Sequence, residues 1–322
     1  MKKYCQDYPE TFDTIIIGAG PAGMTAAIYA ARRKMKVLLI CGKVGGQMMW
    51  SSDIANYTGV AQATGPELTK QFFSHIKNVD DDNAHFDLWV REDEKVSKIR
   101  GNFDENFIVT THAENQFKSR TIVITTGKIP RTLGIPGEKT AMAGNGLSFC
   151  ATCDAPLYKD KKMVVIGGGN SAMDVALQLE KFTDDITVMT NCDNLIGEVV
   201  MMEKLEKSKN ISVMYGVESR EILLDKNNKV SGVSIVHNDT EKVIKCTGVF
   251  EEIGQIPATN FLEGFLELNK MKEIPTSRLC RTAVKGVFAG GDCTDQAHKQ
   301  VIVAAGEGAV AALEAHELIL RS

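Results

Sequence analysis

Two glycine-rich turns of one pattern, Gly18-Ala19-Gly20-Pro21-Ala22-Gly23 and Gly167-Gly168-Gly169-Asn170-Ser171-Ala172, each follow a short apolar, β-branched run and precede a helix-forming stretch. A turn of this kind points the free N–H groups of a helix start toward a diphosphate, and it ties the chain locally to a strand-helix-strand unit. Residues 13–17, 21–33 and 36–40 read as strand, helix and strand, and residues 162–166, 171–182 and 186–190 repeat that order. The repeat predicts an α/β fold with two Rossmann-like dinucleotide-binding domains.

The boundaries follow from the strands that leave and re-enter the first domain. Ile122-Val123-Ile124-Thr125-Thr126-Gly127 is a buried-type strand ending in small residues and followed by Pro130 and Pro136. Val249 to Gly254 is a second such strand, followed by Pro257. They bracket an inserted domain at 131–256, leaving 1–130 and 257–322 as one discontinuous domain with the two crossings as hinge candidates. The tail, Gly286 to Asp292 and a helix from Val301 to Leu320, is expected to return to the first domain.

Composition narrows the class. A chain of 322 residues has room for two cores, and 43% hydrophobic with 24% charged residues is ordinary for a globular protein. A net charge of −4 argues against a nucleic-acid partner. The apolar runs are too short to span a bilayer, and Met1 to Asp7 shows no apolar segment behind its lysines, so a cytoplasmic protein without a secretory signal is expected. In that reducing compartment eight cysteines do not make a disulfide framework. Cys5, Cys41, Cys192, Cys246, Cys280 and Cys293 stand singly, and only Cys150 and Cys153 form a close pair. His75, His85, His112, His237, His298 and His316 do not pair at ligand spacing, so no metal site is expected.

The first turn suits a flavin dinucleotide: Gly18 for the tight bend, Gly20 for approach of the backbone to the pyrophosphate, Gly23 for close helix–strand packing. An acidic ribose ligand is expected about 20 residues further on, yet Leu38 to Gly42 holds none, and Gly42-Lys43-Val44-Gly45-Gly46-Gln47 offers backbone amides and one amide side chain instead. Asp292, after Val287-Phe288-Ala289 and before Lys299-Gln300-Val301, is placed for a ribityl hydroxyl, with the following helix N-terminus toward the pyrimidine edge. Cys150-Ala151-Thr152-Cys153-Asp154 has the spacing of a reactive dithiol, its thiol pKa lowered by a neighbouring helix start and Asp154 beside it for proton transfer.

These motifs, with Thr126-Gly127 and Gly290-Gly291-Asp292, stand in the order found in low-molecular-weight thioredoxin reductases, and over residues 13 to 320 the chain resembles that family. The resemblance implies FAD, a homodimer and a CxxC carried by the inserted domain. It also implies that Cys153 faces the flavin, that Cys150 attacks the thioredoxin disulfide and that Asp154 is the acid. The candidate FAD-binding residues are Gly18, Ala19, Gly20, Pro21, Ala22, Gly23, Gly42, Lys43, Gly45, Gly46, Gln47, Asn56, Val96, Thr126, Gly127, Gly291, Asp292, Lys299, Gln300 and Val301.

One departure stands out. Members that use NADPH carry a His-Arg-Arg cluster and a further Arg after the second strand of the inserted domain, where the cations hold the 2′-phosphate. Here the stretch is Val188-Met189-Thr190-Asn191-Cys192-Asp193-Asn194-Leu195-Ile196-Gly197, with no Arg or Lys between Phe182 and Lys204. Losing two or three charge-assisted contacts at about 1.5–3 kcal/mol each weakens NADPH binding by orders of magnitude, and Asp193 falls late for a ribose contact from NADH. Members without the cluster include enzymes reduced by ferredoxin or a deazaflavin. Arg32-Arg33-Lys34-Lys36 and Arg278-Arg281-Lys285 are candidate docking patches for acidic ferredoxin. The expectation is a FAD-dependent thioredoxin reductase supplied by ferredoxin. Its alternatives are the same enzyme supplied by NADPH or NADH, and a non-catalytic flavoprotein redox sensor.

Overall fold

A computed structural model describes residues 8–51, 54–78, 86–142 and 144–322. The N-terminal stretch Met1 to Asp7, Cys5 and His85 lie outside the described residues. The chain divides into two compact units, the described residues up to Ile129 with Ile256–Ser322, and Pro130–Gln255.

In the first unit β1 (Phe12–Ala19) leads into α1 (Pro21–Arg32), β2 (Val37–Val44), a short 3-10 turn (Gly46–Trp50) and α2 (Gly65–Lys77). Then come β3 (Leu88–Arg91), β4 (Val96–Asn102), β5 (Asn106–Thr111) and β6 (Gln116–Ile124). β1 carries the apolar run Ile15 to Ile17 because both faces of the strand are covered there. Ile16 packs with Leu39 and Met24 on one side, while Ile15 and Ile17 pack with Leu38 and Phe107 on the other. The sheet runs β3-β2-β1-β6-β5-β4. The first three strands and β6 are parallel, and β4-β5-β6 is an antiparallel meander. α2 starts in a capping box: the Thr64 hydroxyl accepts from Glu67 N–H at 3.3 Å and the Glu67 carboxylate accepts from Thr64 N–H at 2.8 Å.

The crossing strand β7 (Lys128–Pro130) leads to the second unit: α3 (Glu138–Met142), β8 (Leu147–Ser148), α4 (Ala151–Asp154), β9 (Met163–Ile166), α5 (Asn170–Leu179), β10 (Ile186–Met189), α6 (Val199–Lys207) and β11 (Ile211–Met214). An antiparallel ribbon of β12 (Glu218–Leu224), β13 (Val230–His237) and β14 (Thr240–Lys245) precedes β15 (Gly248–Glu251). The five-stranded sheet is parallel in the order β11-β10-β9-β15-β8. Both units thus carry the Rossmann-like α/β architecture that the repeat predicts.

The chain returns through β16 (Gln255–Pro257), which pairs with β7, to β17 (Val287–Ala289) and α7 (Val301–Leu320) in the first unit. β17 extends the first sheet by pairing parallel to the end of β6. α7 buries Ala304, Ala305, Gly308, Ala311, Ala312 and Ala315. A Cβ on Gly308 would stand 2.0 Å from Ala22 O, so only glycine allows α7 this close to α1. One expectation shifts. β2 continues past Ile40 to Val44, because nothing in Cys41 to Val44 breaks it before Gly45 takes a left-handed φ of 93°. Gly42 and Lys43 therefore belong to the strand. α7 runs from Val301 to Leu320 as the sequence predicts, and residues 293–300 lie between it and Asp292.

Candidate functional site

Gly18 ends the regular part of β1 with φ 106°, and a Cβ there would lie 2.4 Å from Thr125 O. A Cβ on Gly23 would lie 1.8 Å from Gly18 O, so α1 rests directly on the strand. Gly20 is the N-cap of α1, without a side-chain cap and with Pro21 behind it. A Cβ on Gly20 would meet nothing within 4 Å. The helix start thus opens onto free space with its N–H groups forward, flanked by buried Ala19 and Ala22. Gly45 returns the chain to this point, its N–H donating to Ala19 O at 2.7 Å, and the added Cβ of Gly46 would stand 3.6 Å from Gly20 Cα.

Gln47 Nε2, Thr69 Oγ1 and Thr126 Oγ1 are buried and unpartnered. Leaving such groups unsatisfied costs about 1–3 kcal/mol each, and a flavin dinucleotide rich in phosphate, hydroxyl and ring heteroatoms would supply partners. Thr69 was invisible in the sequence; its Oγ1 stands 2.7 Å from the position of a Cβ on Gly45. At Gly127, φ is 63° with open space around it. Gly291 N–H donates to Glu307 at 2.6 Å, and burial raises the Asp292 carboxyl against the opposing charges of Lys299 and Lys128. Glu273 holds both lysines, Lys299 at 3.4 Å and Lys128 at 3.5 Å. Asn56 Nδ2 donates to Gln300 Oε1 at 3.1 Å, beside Val301 at the start of α7. Val96 is in the core on the sheet face opposite α1, and its neighbour Lys95 lies across Gly42. The glycine turn of α1 and the unpartnered Gln47 and Thr126 fit the group, Asn56 and Gln300 bond to each other, and Lys43 shows no polar partner among the hydrogen bonds of the described residues.

In the second unit Cys150 and Cys153 are joined in a disulfide with Cα atoms 5.3 Å apart. Cys150 is the N-cap of α4, its carbonyl accepting from Cys153 N–H at 3.2 Å and Asp154 N–H at 3.0 Å. Cys150 is buried and Cys153 exposed. The Ser148 hydroxyl donates to Asp154 Oδ2 at 2.6 Å and accepts from Cys150 N–H at 3.0 Å, a link from the carboxylate to the disulfide that the sequence did not reveal. Tyr158 is raised by burial and by the Asp154 charge. Four of the other thiols are poorly placed for exchange. Burial pushes Cys41, Cys246 and Cys280 up to about 12, and Cys293 is raised in the same way.

The second glycine turn keeps its shape but is hemmed in by its own chain. Ile196 N–H donates to Gly168 O at 2.8 Å, and Glu198 N–H donates to Asn170 Oδ1 at 2.8 Å. Thr190 Oγ1 accepts from Cys192 N–H at 3.2 Å, so the uncharged stretch turns on itself. After β15, burial and then Asp174 raise the Glu252 carboxyl to about 7. Of the two basic patches in the first unit, Arg32, Arg33, Lys34 and Lys36 are exposed near the end of α1. In the other, Arg281 pairs with Glu314 at 2.5 Å and Lys285 with Asp104 at 3.6 Å. No helix among the described residues is long and apolar enough to cross a membrane.

Residues 12–308 match the sequence profile described as pyridine nucleotide-disulphide oxidoreductase. The NADH dehydrogenase of Ferdinandcohnia aciditolerans is 35% identical over 97% of this chain and 58% of its own length. A component of the alkyl hydroperoxide reductase of Escherichia coli is 34% identical over 97% of this chain and 59% of its own. The chain thus spans about three fifths of these curated relatives. The crystal structure of thioredoxin reductase from Lactococcus lactis superposes with a TM-score of 0.86 at 31% identity, covering 97% of this chain and 100% of that one.

Proposed function

The chain belongs to the pyridine nucleotide-disulphide oxidoreductase family, and from that premise we propose that it is a FAD-dependent thioredoxin reductase whose electrons come from reduced ferredoxin. The observation that carries the disulfide chemistry is the Cys150–Cys153 bond with Asp154 held beside it through Ser148. The flavin, bound along Gly18 to Gly23, Gln47 and Thr126, would accept single electrons and pass on a pair. Two electrons and two protons open the disulfide to two thiols. Cys150, as thiolate, then attacks one sulfur of oxidised thioredoxin, and Asp154 gives a proton to the departing thioredoxin thiolate. The Cys153 thiolate attacks the Cys150 sulfur, re-forming the disulfide and releasing reduced thioredoxin. Because Cys150 is the buried member of the pair, this order requires it to become accessible during turnover.

The missing cations between Phe182 and Lys204 support ferredoxin over NADPH. The retained second turn and the NADH dehydrogenase relative favour a second reading, the same reductase fed by NADH. A homodimer in the cytoplasm completes the proposal. Protein purified without added cofactor should be yellow and release FAD, not FMN, on heating. Cys150→Ser and Cys153→Ser should each abolish thioredoxin reduction while the flavin remains reducible, and only Cys150→Ser should show a long-wavelength thiolate–flavin band. Retained activity in either variant removes the pair from the mechanism; the band in Cys153→Ser alone reverses the two roles.

A further inference from the structure

In the second unit's sheet, β9 has β10 on one side and β15 on the other, and the strand order reverses between β9 and β15. In open α/β sheets a nucleotide lies in the crevice outside the carboxyl ends of the strands at such a reversal. Gly167 follows β9 and Glu252 follows β15. The Glu252 N–H donates to Ile166 O at 2.7 Å, and a Cβ on Gly167 would stand 2.2 Å from Glu252 O. Backbone contacts therefore build Glu252 into the wall of the crevice beside the glycine turn. Its half-buried side chain faces the charge of Asp174, a residue of α5 whose N-terminus a diphosphate would approach. The ion pairs Lys162–Asp185, Lys207–Glu203 and Arg220–Glu218 of this unit bring no cation to Glu252.

We propose that Glu252 sets donor specificity: its carboxylate, with Asp174 behind it, excludes nicotinamide dinucleotides from the second unit by repelling their diphosphate. The inference rests on the donor reading above and deepens it. The absent arginines remove an attraction, whereas Glu252 adds a repulsion, and discrimination between ligands commonly needs both.

The test reads binding, not turnover. Flavin-loaded wild type, Glu252→Ala, Glu252→Gln and Glu252→Asp are titrated at pH 8 with NADH, followed by its fluorescence, and with ADP-ribose, followed by calorimetry. Wild type and Glu252→Asp should show no saturation up to millimolar ligand. Glu252→Ala and Glu252→Gln should bind both ligands at least about tenfold more tightly, as expected when a like charge is removed from a partly buried site. Melting temperatures at or above wild type would show that the neutral variants fold. If wild type fails to bind and neither neutral variant gains, Glu252 is overturned as the determinant and the donor reading survives. A gain in Glu252→Ala without one in Glu252→Gln assigns exclusion to size and overturns the repulsion. Saturation of wild type at micromolar NADH sinks the donor reading itself.

Discussion

Glu138 and Glu251 set two carboxylates on one backbone group: Leu133 N–H donates to Oε1 of both, at 2.7 Å each. Glu251 is 2% exposed and its Oε2 has no partner. Burial and the Glu138 charge push its carboxyl from 4.5 to about 8, so the pair holds a proton at neutral pH. The carboxyl is protonated in the folded protein at pH values where the unfolded chain has already lost the proton. Its contribution to stability is therefore complete below about 4.5 and is lost as pH rises through about 8. Glu251→Gln should flatten that decline, because the amide N–H can donate to Glu138 without a titrating proton. Thermal melts from pH 5 to 9 should place the variant about 3 °C or more above wild type at the alkaline end. The smaller slope that remains belongs to Glu252, raised to about 7. Equal pH slopes in the two proteins would remove the shared proton from the account.

Helix α7 shows how closely an element is fitted to its neighbour. Its two glycines occupy opposite situations: Gly308 faces Ala22 O, 2.0 Å from an added Cβ, and Gly306 faces nothing within 4 Å. Gly308→Ala should force α7 away from α1, costing about 1–3 kcal/mol as overpacking does. Since α1 opens the proposed flavin cradle, flavin content after purification should fall as well. Gly306→Ala should stabilise the same helix by about 0.5–1 kcal/mol, because alanine loses less conformational freedom there. Denaturant midpoints and flavin absorbance read both. Similar behaviour of the two variants would mean that the α1–α7 approach is not what fixes the cradle.

For the whole molecule the decisive question is the donor. Anaerobic titration with NADPH, NADH and reduced ferredoxin, followed by bleaching of the flavin band, should give prompt reduction by ferredoxin alone. That rate should fall as salt rises, since attraction between an acidic protein and the Arg32-Arg33-Lys34-Lys36 patch is screened over about 10 Å at 0.1 M. Arg32→Glu with Arg33→Glu should slow reduction at low salt and remove most of the salt dependence. Rapid oxidation of micromolar NADPH coupled to thioredoxin would end this reading. What could be read from the sequence is local. The glycines at positions 18, 20 and 23 reveal their turn because a strand-to-helix bend this tight needs them at that spacing, and at 18 and 23 no side chain fits. The run Ile15, Ile16 and Ile17 shows a strand covered on both faces, and the CxxC declares its chemistry by spacing alone. The missing arginines after β10 were legible only against the pattern of the family that the chain resembles. Tertiary structure decided the partners: Ser148 on Asp154, Lys128 and Lys299 on Glu273, Glu252 against Gly167, and Glu251 with Glu138. Ser148, Lys128, Glu273, Glu252, Glu251 and Glu138 read as ordinary polar residues in the sequence, because burial and the neighbours that packing brings in, not residue type, determine whether a carboxyl keeps its proton or a hydroxyl finds its acceptor.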